Sequence, residues 1–244
     1  MTEPKPLTEP MPPAELAAPS AGLAPAAVRR APSGATSSAE PEPLLGAPGA
    51  QLVIISGPSG VGKDTIITAL QERDPDYHYV VTCTTRAPRP GEVQDVSYHF
   101  LTTEEFAGLR DAGELLESAE VHGNWYGTPR HEVADALARG HDVILKIDVQ
   151  GASAVKQRAS GALLVFLVPP SMEELFQRLR TRATETADEL EIRQRNAAIE
   201  LARQGDYDRV VVNETDQQAR TAAEIEAIIT QEKRRSSDRR VRIT

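Results

Sequence analysis

The chain has 244 residues, a formal net charge of −9 and one cysteine, Cys83. Its length suits one large domain, or one domain with tails, with room for a sizeable core. The charge argues against a nucleic-acid binder, local basic patches aside, and a lone cysteine excludes an intramolecular disulfide and fits a reducing compartment. No apolar run approaches membrane-spanning length, and an N-terminus carrying Glu3 and Glu9 has neither a signal core nor transit-peptide character, so the expectation is a soluble, cytoplasmic protein.

Residues 1–50 are rich in Pro, Ala, Ser and Glu and lack periodicity, so they are expected to be a disordered extension. Folded structure is expected from Gln51. Residues 52–56 are apolar throughout, as in a strand buried on both faces. Gly57-Pro58-Ser59-Gly60-Val61-Gly62-Lys63 then has the spacing of a phosphate-binding loop, followed by a helical pattern ending near Asp74-Pro75. Glycines let backbone N–H groups turn inward around a polyphosphate, and the helix adds its positive dipole end. Lys63 supplies a mobile charge for the outer phosphates. Asp64 stands where Ser or Thr normally holds magnesium, with Thr65 next in line.

Tyr79–Cys83 reads as a second strand. The Pro/Gly-rich segment after it, Thr84-Thr85-Arg86-Ala87-Pro88-Arg89-Pro90-Gly91-Glu92, presents two arginines suited to gripping a phosphate, or else a solvated basic loop. Residues 96–127 look like a small insertion. It holds a strand at Val96–Leu101, a helix opening at Thr103-Glu104-Glu105-Phe106 and ending at Gly113, and further strand at Leu115–Val121 and Trp125–Tyr126. Tyr98, Glu117 and Tyr126 stand out there.

Pro129 suits the first turn of a helix over 130–138, and Asp142–Asp148 is a buried strand ending in an acid. A carboxylate at the carboxyl end of a parallel strand is placed to act near magnesium or a substrate, though Asp is also a common turn residue. Leu163–Val168 is another strand, stopped by Pro169-Pro170. Ser171 caps a helix running to about Arg182, and a second helix over 187–204 carries Arg193 and Arg195. Arginines on two such arms can close over phosphates as a lid, or simply lace helix surfaces with ion pairs. Val210–Asn213 is the last strand and 216–232 the last helix, and the basic segment 233–244 is expected to fray. Strands alternating with helices predict a parallel sheet covered on both faces.

Taken in order, these blocks resemble the guanylate kinase family over about 51–232. They are Ser56 to Lys63, Thr84 to Glu92, Tyr98-His99-Phe100, Glu117, Gly123-Asn124-Trp125-Tyr126-Gly127-Thr128, Ile147-Asp148-Val149-Gln150-Gly151 and Val211-Val212-Asn213. The resemblance implies a three-layer α/β fold of the P-loop class with a parallel central sheet, a small mixed α/β GMP-binding lobe at about 84–128 and a helical lid at about 180–195. It implies that MgATP and GMP give ADP and GDP, in a monomer or homodimer that binds neither nucleic acid nor membrane. Residues Gly57, Pro58, Ser59, Gly60, Val61, Gly62, Lys63, Asp64 and Thr65, with Asn213, are similar to the ATP site. Arg86, Arg89, Tyr98 and Tyr126 match the grip on the GMP phosphate, and Thr82, Glu117 and Thr128, with Asp148 nearby, match the guanine pocket. Lys63, Arg86, Arg182 and Arg193 fill the catalytic positions, and Asp64 is the candidate magnesium ligand. Lys146, where the family has an acid, inverts local charge, replaces a water-mediated contact, or pairs with Asp148 or Asp64. Two alternatives stand beside this reading: a catalytically weak binding module of the same fold, and a related kinase for another small phosphorylated acceptor.

Overall fold

The structure, a computed structural model, describes residues 44–73, 76–121, 123–181, 187–235 and 240–244. Strands β1 (Leu44–Leu45) and β2 (Leu52–Ser56) lead through a glycine-rich turn into α1 (Lys63–Arg73) and a short β3 (His78–Tyr79). The chain then builds a smaller lobe from β4 (Cys83–Thr84), β5 (His99–Phe100), α2 (Thr103–Asp111), β6 (Leu115–Val121) and β7 (Asn124–Pro129). It returns through α3 (Arg130–Ala138), β8 (Val143–Lys146), α4 (Val149–Arg158), β9 (Ala159–Ser160) and β10 (Leu163–Val168). Next come α5 (Met172–Thr181), α6 (Ala187–Leu201), β11 (Arg209–Val212), α7 (Gln218–Arg235) and β12 (Arg242–Ile243).

The central sheet runs β11-β10-β2-β8-β3, with every pairing parallel. Its inner strands β10, β2 and β8 are apolar on both faces because each face is covered. Successive residues of β2 alternate between two cores. Leu52 and Ile54 face a layer built by Val133 and Leu137 of α3 and Ala152 and Val155 of α4. Val53 and Ile55 face Ile66 and Leu70 of α1, Leu175 and Leu179 of α5, Ala197 of α6, and Ile225 and Ile229 of α7. This is the expected three-layer α/β arrangement. It brings the carboxyl ends of β2, β8 and β10 to one edge, where parallel sheets hold their ligands.

The lobe carries its own sheet, β5-β4-β7-β6, over a small cluster of Cys83, Phe106 and Leu115. Helix α2 starts with a capping box: the Thr102 hydroxyl accepts from Glu105 N–H, and the Glu105 carboxylate accepts from Thr102 N–H.

Several boundaries differ from the expectation. The strand read as Tyr79–Cys83 splits in two, with β3 in the central sheet and β4 in the lobe. Val96–Leu101 narrows to β5. The sequence reading has no helix between β8 and β10, where α4 stands capped by the Asp148 side chain. Of the extension expected to be disordered, residues 1–43 lie outside the described residues, while 44–50 are described and include β1; of the tail expected to fray, 240–244 are structured. Strand β12 pairs with both β1 and β9 in a third, antiparallel sheet, burying Val241 and Ile243. Among the described residues, no helix is long and apolar enough to cross a membrane.

Candidate functional site

The turn after β2 is shaped by close approaches that only glycine permits. Gly57 has φ +150°, and a Cβ on it would lie 2.5 Å from the Leu167 carbonyl oxygen; Gly62 has φ +99°, and its Cβ would lie 2.6 Å from Asn213 Nδ2. Lys63 opens α1 and curls back over the loop, donating to the Gly57 carbonyl at 2.6 Å and the Pro58 carbonyl at 3.2 Å. Burial lowers its pKa below the ordinary lysine value, opposed by the nearby Glu200, Asp64 and Asp148 carboxylates. The Val61 side chain is core, and only its backbone serves the loop: its carbonyl accepts from Asn213 Nδ2 at 2.8 Å and from the Arg178 guanidinium at 3.1 Å. Asn213 is thereby a buried brace of the loop. Thr65 is exposed on α1 and does not line the cleft.

Helix α6 lies across the loop's mouth. The Ser59 N–H donates to Glu200 Oε2 at 2.9 Å, and Arg193 donates to Ser59 Oγ at 3.3 Å. A carboxylate therefore sits on a backbone donor of the kind that cradles phosphate. Arg182, the other expected lid arginine, lies outside the described residues.

The opposite wall belongs to the lobe. One cleft of about 1090 Å³ of open space is lined by Gly57, Ser59, Gly60, Lys63 and Asp64 on the loop side and by Thr82, Arg89, Tyr98, Glu117 and Tyr126 on the lobe side. Lys146 and Asp148 form its floor, and Arg193 and Glu200 its α6 side. Glu117 is 3 % exposed, and its Oε1 accepts from the Thr128 hydroxyl at 2.7 Å. Burial pushes its carboxyl up to about 7, with the Thr128 hydrogen bond opposing and the Asp148 charge adding to the rise. Asp148 spends one oxygen on capping α4, accepting from Gly151 N–H at 2.7 Å.

The structure sets Arg86 one layer behind the cleft. Its guanidinium bonds Glu92 at 2.8 Å, the Ala87 carbonyl at 2.7 Å and the Tyr126 hydroxyl at 3.3 Å, and it stacks 5.5 Å from the Tyr98 ring centroid. Tyr98 and Tyr126 meet edge to face at 6.1 Å. Glu92 also accepts from Arg89 N–H at 2.7 Å, so one acid fixes the whole Arg-rich turn. Sequence reading assigned Glu92 no role, although an acid just after two arginines in a Pro/Gly turn is a signal for it. Glu200 was missed as well. Its only signal is a spacing of seven from Arg193, which puts both on one helix face.

Lys146 pairs with Asp64, one of the pairings considered from sequence. Its Nζ lies 2.5 Å from Asp64 Oδ1, with 26 % and 68 % of the two side chains exposed. Among the described residues, no three His, Cys, Asp or Glu side chains converge to hold a metal. A divalent ion here fits only as one brought largely by a polyphosphate, with Asp64 as the carboxylate at the loop, which is how magnesium is usually held beside phosphates.

Residues 49–232 match the guanylate kinase family model. The chain is 50% identical over 165 residues to guanylate kinase of Mycobacterium bovis, covering 67% of this chain and 79% of that protein. It is 49% identical over 186 residues to guanylate kinase of Symbiobacterium thermophilum, covering 76% and 87%. It is 42% identical over 203 residues to guanylate kinase 2, chloroplastic/mitochondrial, of Oryza sativa, covering 83% and 71%. The crystal structure of guanylate kinase from Anaplasma phagocytophilum aligns with a TM-score of 0.64 at 34% identity, covering 80% of this chain and 91% of that one.

Proposed function

The chain belongs to the guanylate kinase family, and from that premise we propose how its residues carry the γ-phosphate of ATP to GMP, giving ADP and GDP. One observation carries the residue-level reading. A phosphate loop with its lysine and a buried Glu117–Thr128 pair face each other across one cleft.

The loop N–H groups and the start of α1 receive the ATP phosphates. Lys63 exchanges the Gly57 and Pro58 carbonyls for β- and γ-phosphate oxygens. Arg193 already touches the loop and, with Arg182, meets the same phosphates when the lid closes; Glu200 must give up the Ser59 N–H as phosphate arrives. Asp64 would hold a divalent cation that arrives with ATP, magnesium in this reading, and that ion would supply charge neutralisation for the transferring phosphoryl group.

On the lobe side, Arg89, Tyr98 and Tyr126 hold the GMP phosphate, and Arg86 stiffens both rings from behind and reaches the phosphate on closure. Glu117 accepts from guanine N1–H and the 2-amino group, a donor pair that adenine lacks. Thr82, Thr128 and Asp148 supply the remaining polar contacts. A pocket built for those donors rejects a base that leaves the carboxylate unpaired. The acceptor phosphate oxygen then attacks the γ-phosphorus in line. The protein's part is positioning, charge neutralisation and exclusion of water.

This reading makes the chain a cytoplasmic step in guanine nucleotide synthesis and recycling. The test is ADP formation with ATP, magnesium and GMP, dGMP, AMP or UMP as acceptor. GMP should be strongly preferred, dGMP used, and AMP and UMP nearly inert. Absence of ADP formation with GMP at saturating magnesium would refute the reading.

A further inference from the structure

Lys146 touches both walls of the cleft. It ends β8 at the carboxyl edge of the central sheet, in register with Ile55 of β2, next to the loop. Its ammonium donates to Asp64 Oδ1 at 2.5 Å on the first turn of α1. The same ammonium lies over the Tyr98 ring, 5.4 Å from its centroid. Asp64 belongs to the side that receives ATP, and Tyr98 to the side that receives the GMP phosphate. In-line transfer requires the γ-phosphorus and the acceptor oxygen to meet between those walls, so a group reaching both stands on the seam.

Stability gives little reason for the pair. Asp64 is 68 % exposed, and an ion pair with so wet a partner contributes little to folding. Charge gives a better one. Two polyanions must approach, and Lys63 lies at the loop end, folded onto its carbonyls. Lys146 is the second ammonium lining the same cleft.

Resting on the assignment of ATP to the loop and GMP to the lobe, we propose that Lys146 is a further catalytic residue. Its ammonium leaves Asp64 when both nucleotides are bound and donates to an oxygen of the phosphoryl group in transfer. Asp64 is the counter-ion that holds it in the nucleotide-free cleft. The reaction's balance is unchanged. A bond forms from the GMP phosphate oxygen to the γ-phosphorus, the bond to the β,γ-bridging oxygen breaks, its electron pair leaves with ADP, and Lys146 keeps its proton.

The test compares K146M, K146R and D64N with the wild type in steady-state kinetics, thermal melting and calorimetric binding of inorganic pyrophosphate in metal-free buffer. A lost charge-assisted contact made in the transition state predicts kcat down roughly 30- to 100-fold in K146M, with melting little changed. K146R keeps the charge and should recover to within about tenfold of wild type. Pyrophosphate should bind about tenfold more weakly to K146M and several-fold more tightly to D64N, where the ammonium is released. A K146M kcat within about threefold of wild type, K146R no better than K146M, or pyrophosphate affinity indifferent to both K146M and D64N overturns the proposal. If the wild type makes no ADP with GMP, the acceptor assignment fails separately, because the pyrophosphate measurement needs no acceptor.

Discussion

Glu117 is asked to be a carboxylate where the protein makes one costly. Burial lifts its carboxyl to about 7 against the pull of the Thr128 hydroxyl. Guanine donors need the ionised form, so GMP binding must expel a proton whenever the acid is protonated. KM for GMP should therefore rise about tenfold per pH unit below pH 7, while KM for ATP stays nearly flat. A flat GMP profile between pH 5.5 and 8 would contradict this role. The same group predicts a stability cost. Its folded pKa lies above the ordinary value of 4.5, so the folded state holds the proton more tightly. Stability contributed by that proton is present below pH 4.5, falls as pH rises towards 7, and is absent above. The penalty at pH 8 is on the order of 3 kcal/mol as an upper bound. Glu117→Gln keeps an acceptor for Thr128 and removes the charge. It should melt a few degrees higher than wild type at pH 8 and not at pH 4, while GMP use falls at least about 100-fold. Equal melting at both pH values would show that burial of the charge costs nothing.

Helix α3 ties the lobe to the central sheet through one half-buried acid. Glu132 takes His78 Nε2 of β3 at 3.2 Å, the Val81 N–H at 3.2 Å, and His99 Nε2 of β5 at 3.8 Å, while His99 Nδ1 lies 2.7 Å from Asp95. Burial alone would raise Glu132, but the hydrogen bonds from His78 and Val81 and the nearby His99 imidazole win and hold it at about 2. Burial would lower His99, but the neighbouring Glu132 and Asp95 carboxylates overcome it and raise the imidazole. The signs bracket a plateau. Glu132 contributes stability above its ordinary pKa of 4.5 and loses it as pH falls towards 2. His99 contributes below its ordinary value of 6.5 and loses it as pH climbs through the raised folded value. Glu132→Ala should cost about 2–4 kcal/mol near pH 6 and much less near pH 2, read by denaturant unfolding at the two pH values. An equal loss at both would mean the residue is packing, not charge. None of this network was legible from the sequence, because its members lie 54 residues apart and meet only once the lobe folds back. Contiguous motifs were legible. The phosphate loop, the Arg86–Glu92 turn and the apolar strands each carry their signal locally, in spacing or in unbroken hydrophobicity. Helix α4 was not, because Gly151, Ala152 and Ser153 blur its period and Asp148 reads as a site residue or a strand-end turn residue. It is the cap of α4 as well as a wall of the cleft.

At the scale of the whole molecule, the two ends of the described chain are fastened to the same core. β12 lies between β1 and β9, the Gly46 N–H donates to the Val241 carbonyl at 2.9 Å, and the Thr244 N–H donates to the Arg158 carbonyl at 2.8 Å. Val241 is 2 % exposed and Ile243 1 %, packed among residues of α3 and α4 beneath the central sheet. A basic composition suggested a loose tail, since three arginines within 239–242 overshadow two apolar residues at alternate positions. That alternation is a strand's, and it decides the outcome: one side of β12 goes inward and Arg242 stays out. β12 lies beyond residue 232, where the match to the family model stops, and none of its residues lines the cleft. Its contribution should therefore separate from activity. Ile243→Ala removes a fully buried side chain and should cost about 2–4 kcal/mol. Deleting 240–244 should cost more, because it also leaves β1 and β9 as unpaired edges. In both variants, kcat and both KM values measured well below the melting point should stay within about twofold of wild type, since α4 and β8 remain held by the sheet itself. Unchanged melting would return the segment to the status of a loose tail. A large kcat loss at full folding would instead mean that the clasp holds α4, and with it Asp148, in register with the cleft.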